Sequence, residues 1–191
     1  MKKLHLSLLC IIGLSFTASG WANDFEAALS SETAQFTFRS DSSLIGWGGA
    51  DLGLSLFYNE ESDFLGQVEL LQSRQASSAS PLTFGVGVKA YAGRLDDSGD
   101  ELFGLGIGGE IKYTFAATMP VAIYFRGFIA PEITSFSDTE EISDYVFGVQ
   151  IEVLPQTTAF LGVRHIEVDT ENTKNFELDD DEVHFGVRFR F

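Results

Sequence analysis

The chain has 191 residues, with 28 acidic side chains against 12 lysines and arginines and a formal net charge of −16. That length fits one domain, and so acidic a chain excludes nucleic acid as a partner, because phosphate recognition needs basic patches. Eighteen Phe and 19 Gly beside four Pro and two Met lean away from helix and towards strand.

Residues 1–22 are expected to be a cleaved signal peptide. Lys2 and Lys3 give a positive start, Leu4 to Phe16 an apolar stretch, and Gly20-Trp21-Ala22 small residues at −3 and −1 of a cut after Ala22. The apolar run is too short for a membrane anchor, which needs roughly 20 residues. Cys10 lies inside that run behind Leu8-Leu9, without the small residue a lipidation site takes before it. Cutting after Ala22 leaves residues 23–191 as the mature domain, without cysteine and so without disulfide chemistry.

Beyond Asp24 the apolar residues recur with period two. Asp24 to Ser30 places Phe25, Ala27 and Leu29 on one face, and Glu32 to Arg39 places Ala34, Phe36 and Phe38. Leu82, Phe84, Val86, Val88, Ala90 and Ala92 share a face opposite Thr83, Gly85, Gly87, Lys89 and Tyr91. The same holds for Phe103 to Phe115, Val121 to Ile129, Tyr145 to Val153 and the closing Val183 to Phe191. Such alternation over many segments predicts strands with one apolar and one mixed face.

The character of the mixed face separates a soluble sandwich from a membrane barrel. It is poor in charge for a water-exposed surface and rich in Gly, which fits a narrow lumen behind a lipid-facing wall. The expected fold is therefore all-β, a transmembrane antiparallel up-and-down barrel of ten strands. Eight is the alternative if the N-terminal pieces stay outside the wall. Glu69, Lys89, Glu110, Lys112, Arg126, Glu152, Arg164, Arg188 and Arg190 are expected inside as a mixed-sign set, paired because buried charges need partners.

Short links are expected at Ala116 to Pro120 and around Leu154-Pro155-Gln156. Longer acidic links are expected at Asn59 to Asp63, Leu95 to Glu101, Glu132 to Asp144 and Asp169 to Glu182, which together hold 19 of the 28 acidic residues. Membrane barrels keep short turns on the periplasmic side, so the acidic set is expected to face outward.

The second half resembles the YfaZ family of outer-membrane proteins. The residues that carry this are Ile129-Ala130-Pro131-Glu132, Ser135 to Asp138, Tyr145, Gly148-Val149, Leu154-Pro155 and Gly162-Val163-Arg164-His165-Ile166, where the family usually has an aromatic in place of His165. Leu178 to Asp181 and Gly186-Val187-Arg188-Phe189-Arg190-Phe191 complete the match, over roughly Gly85 to Phe191. The resemblance implies a barrel in the outer membrane of a Gram-negative bacterium and carries no catalytic residue. The closing strand, with Val183, Phe185, Val187, Phe189 and Phe191 on one face, looks like the signal read by the outer-membrane assembly machinery.

Three constellations bear on chemistry. Gly104-Leu105-Gly106-Ile107-Gly108-Gly109 lies within a strand, whereas a nucleotide-binding glycine motif opens a helix. His165 shares a face with Glu167 and Asp169 and no serine, so a nucleophilic site lacks its hydroxyl there; His184 stands two residues from Glu182. Asp179, Asp180, Asp181 and Glu182 form a possible weak divalent-cation loop, although the spacing of a dedicated calcium loop is missing. The expectation is a monomeric barrel without catalytic residues or cofactor, its lumen largely filled and its acidic loops facing outward. Its partners are membrane lipid, lipopolysaccharide and the assembly machinery. A narrow porin-like channel is the alternative, and a barrel enzyme a third reading.

Overall fold

The computed structural model describes residues 23–45 and 48–191, so the segment read as a signal peptide, Cys10 included, lies outside them. Among the described residues eleven strands form: β1 (Asp24–Leu29), β2 (Thr33–Asp41), β3 (Asp51–Asn59), β4 (Phe64–Gln75), β5 (Leu82–Arg94), β6 (Glu101–Phe115), β7 (Val121–Ala130), β8 (Ser135–Ser137), β9 (Thr139–Leu154), β10 (Thr157–Thr170) and β11 (Phe176–Arg190). Ten of them close into one antiparallel barrel, each paired with its neighbour in the chain, β7 with β9, and β11 with β1 from Asp24↔Arg190 to Leu29↔Phe185. The remaining strand, β8, is a three-residue patch on the loop end of β6. Closure pairs the first strand with the last, and β11 runs on past the end of β1 towards the long loops. The ten-strand expectation holds, and the split of the N-terminal piece into β1 and β2 at Ser30 supplies the even number.

Alternation along each strand sets the two faces. Outward residues stay exposed: Val86 at 70% and Ile107 at 69%, with Leu54, Leu56, Leu105, Phe147, Leu161 and Phe185 around the same belt. Aromatics flank that belt at both ends, Tyr58, Phe64 and Phe103 towards the long loops and Phe25, Phe115 and Phe189 towards the chain termini. The first and last described residues meet at one end of the barrel, where Asn23 and Phe191 exchange backbone hydrogen bonds. We call this the terminal end and the opposite one the loop end.

Two expectations about the loop end are corrected. The acidic stretches 132–144 and 169–182 are mostly strand, since β9 begins at Thr139 and β11 at Phe176. Their carboxylates ride on a continued backbone ladder, with Glu141 opposite Asp169 and Glu177 opposite Glu167. What holds this acidic wall is its inner face: Phe57, Leu65, Leu95, Leu102, Ile142, Ile166, Val168 and Leu178 are fully or nearly fully buried against one another. The loop half of the barrel is thus filled by an apolar plug. Carboxylates pin its cover. Asp100 accepts from Thr170 and Asn172 at 2.8 Å each, and Asp63 accepts from Asn59 and from the Asp96 backbone N–H.

Candidate functional site: the charged lumen

The terminal half of the lumen is polar, and its charges are held in pairs. Glu26 on β1 accepts from Arg39 at 2.8 Å and Arg188 at 2.6 Å, one carboxylate between two guanidiniums. Arg126 on β7 meets Glu110 at 2.6 Å and Glu69 at 3.5 Å. Lys89 bridges Asp144 at 2.8 Å and Glu69 at 3.5 Å, with the Phe128 ring 4.8 Å beneath its ammonium and the Tyr91 hydroxyl donating to the same Asp144. At this spacing each charge has the partner that makes burial tolerable, and removing one leaves another stranded.

Farther towards the loop end, Arg164 on β10 is held from several sides. Its guanidinium donates to Asp179 at 2.6 Å, to Thr33 at 2.9 Å and to Gln35, and lies 4.8 Å over the Phe57 ring. Asp179 reaches it because of a bulge. Arg164 pairs with Glu182 while Ile166 pairs with Asp179, so one strand carries extra residues between these rungs, and Asp181 adopts φ 50°. An extra residue reverses which face the following side chains take, and it turns Asp179 inward.

Three spaces follow from this packing. A cavity of about 170 Å³ opens at the terminal end and is lined by Arg39, Glu69, Glu110, Lys112, Arg126 and Arg188 among others. A deeper one of about 40 Å³ shares several of those residues and reaches Gln35 and Arg164. A cleft of about 220 Å³ at the loop end is lined by Thr33, Asn59, Asp179 and the carboxylates of Glu32, Glu60, Glu61, Glu177 and Glu182. In that cleft the neighbouring Glu182 and Glu60 push the Glu32 carboxyl above its ordinary range.

Of the charges expected inside, Glu69, Lys89, Glu110, Lys112, Arg126, Arg164 and Arg188 line the lumen. Glu152 and Arg190 belong to the same set at its outer edge. They stand on the inward face but at its open mouth, where β9 turns at Pro155-Gln156 and β11 ends, so both reach water; the Arg190 side chain is 59% exposed and pairs with Asp24. Glu26, Arg39, Asp144 and Asp179 complete the pairs, although alternation does not mark them as partners.

The four-residue acidic run does not converge as one cation loop. Asp179 turns in to Arg164, Asp181 lies 3.4 Å from His165, and Glu182 accepts from Ser31 at 2.9 Å; the Asp180 side chain is outside the described set. Among the described residues no three His, Cys, Asp or Glu gather as a metal site. His165 faces outward between Glu167 and Asp181, each at 3.4 Å, whereas His184 is buried in the lumen against Phe160. Gly104, Gly106 and Gly108 point inward and leave room for Ile142, Tyr91 and Phe128. Val183, Phe185, Phe189 and Phe191 lie exposed on the outer face with Val187 half-buried between them.

The family model described as YfaZ precursor matches residues 1–191, the whole chain. No curated protein matches it.

Proposed function

The chain belongs to the YfaZ family, and on that premise we propose that it is a small outer-membrane barrel whose lumen is shut and whose acidic loop end faces the cell exterior. The observation that carries this reading is the continuous outward belt of exposed Val, Ile, Leu and Phe, bordered by aromatics at both ends. A water-facing surface does not carry an apolar band of that extent, while lipid takes it without cost. The terminal end then faces the periplasm, as short turns and both chain ends do in such barrels. In this reading the barrel acts as a monomer through its acidic rim, near lipopolysaccharide, and the closing Val183 to Phe191 face is read by the assembly machinery.

A wide pore is not favoured. Lys89, Arg126 and Arg188, the residues that would line it, are committed to Asp144, Glu110 and Glu26, and Phe57, Ile142 and Ile166 fill the level above. No catalytic role is assigned to either histidine, since His165 meets two carboxylates and His184 a phenyl ring. The test is current through the refolded chain in a planar lipid bilayer. A folded barrel that stays silent is the expected result; steady, salt-dependent steps from the unaltered chain overturn the closed reading.

A further inference from the structure

The apolar plug does not fill the barrel evenly. β1 ends at Leu29, opposite Phe185, while β11 continues to Phe176, so the β1–β2 hairpin leaves a notch in the loop-end wall. The acidic cleft sits there and reaches down to Thr33 and Asp179. From the other side the deep cavity reaches up to Gln35 and Arg164. The two spaces therefore meet at one layer of side chains, in which Arg164 donates to Asp179 and Thr33. Arg164 is 2% exposed and the Asp179 side chain 1%, and the Asp179 Oδ1 atom is buried with no hydrogen-bond partner. A buried carboxylate oxygen left open in this way keeps acceptor capacity that no protein group uses.

We propose that the Arg164–Asp179 pair is the gate of a polar seam through the barrel, and that the seam is a path for small inorganic cations. The proposal goes beyond the closed-barrel reading but rests on its membrane placement. The sign of the ion follows from the cleft, where Glu32, Glu60, Glu61 and Glu182 concentrate cations at the entrance, as a one-sign vestibule does. Within the seam the remaining charges are of both signs and nearly balanced, so the entrance decides.

The experiment is planar-bilayer recording of Arg164→Ser beside the unaltered chain and Arg190→Ser, which removes a charge at the open mouth only. Heat-dependent gel mobility reports that each barrel is folded. Arg164→Ser is expected to turn silence into steady steps whose reversal potential in a KCl gradient lies on the potassium side, with Arg190→Ser silent. If Arg164→Ser alone does not fold, Arg164→Ser with Asp179→Ser removes both charges, strands neither, and is expected to conduct in the same way. A folded variant that stays silent, or one whose current is carried by chloride, overturns the proposal and leaves the closed-barrel reading standing. Steady steps from the unaltered chain overturn that reading instead.

Discussion

Glu26→Ala is expected to cost the barrel about 3–5 kcal/mol of unfolding free energy, the range for removing one member of a buried ion pair. Glu26 is the shared acceptor of Arg39 and Arg188, which approach it from β2 and β11 at 2.8 and 2.6 Å. All three side chains are less than a fifth exposed. Without the carboxylate, two guanidiniums face each other across a narrow lumen and lose the partner that offset their desolvation. The position also lies beside the β1–β11 seam, the last pairing to form if the strands assemble in chain order. Urea unfolding of the chain in lipid vesicles measures the loss, and Glu26→Ala with Arg188→Ala is expected to recover part of it by removing one stranded charge. A single variant within about 1 kcal/mol of the unaltered chain, the ordinary range for exposed pairs, would show that water screens these charges after all.

The second large effect is expected at Gly108. It lies mid-strand in β6, opposite Phe128. A Cβ there would stand 2.0 Å from the Gly127 carbonyl oxygen and 2.7 Å from the Phe128 Cα, so backbone rather than a yielding side chain is in the way. Gly108→Ala is expected to abolish refolding into vesicles or to leave a barrel destabilised by about 3 kcal/mol or more, at or beyond the upper end of ordinary overpacking. Gly53→Ala is the matched control. Its Cβ would meet the Glu69 Cβ at 3.5 Å, an ordinary contact, and the variant is expected to refold like the unaltered chain. Equal refolding of the two variants would mean that the wall can shift at Gly108 without loss.

These two positions also show what the sequence makes legible. Strand positions and faces follow from period two, and the outward belt and the inward Glu69, Lys89, Glu110 and Arg126 come directly from it. The apolar plug does not. Phe57, Leu102, Ile142 and Ile166 are inward residues at the loop ends of strands, where alternation alone reads as a polar face giving way to a loop. Leu95 sits among aspartates and reads as part of a solvated link, yet it is buried beneath the cover that Asp63 and Asp100 pin. Asp144 and Asp179 are hidden in the sequence for the same reason: acidic runs resemble loops, and only the paired backbone of β9 and the bulge of β11 show which carboxylate turns in. Glu26 and Arg39 are legible as inward residues, since each alternates with the outward residues of a short strand. Pairing across the lumen is a long-range property, and periodicity carries no information about which strand faces which.

Orientation in the outer membrane is the claim on which the rest depends, and thiol labelling of intact cells tests it most directly. In a Cys10→Ser background no cysteine remains. One is then placed at Glu61, in the exposed acidic turn between β3 and β4, or at Thr118, in the exposed short turn between β6 and β7. With a membrane-impermeant maleimide, Glu61→Cys is expected to label on intact Gram-negative cells, and Thr118→Cys only after the outer membrane is permeabilised. Labelling of Thr118→Cys alone on intact cells would reverse the barrel. Equal protection of both sites until the outer membrane is opened would place the chain away from the cell surface and contradict the account.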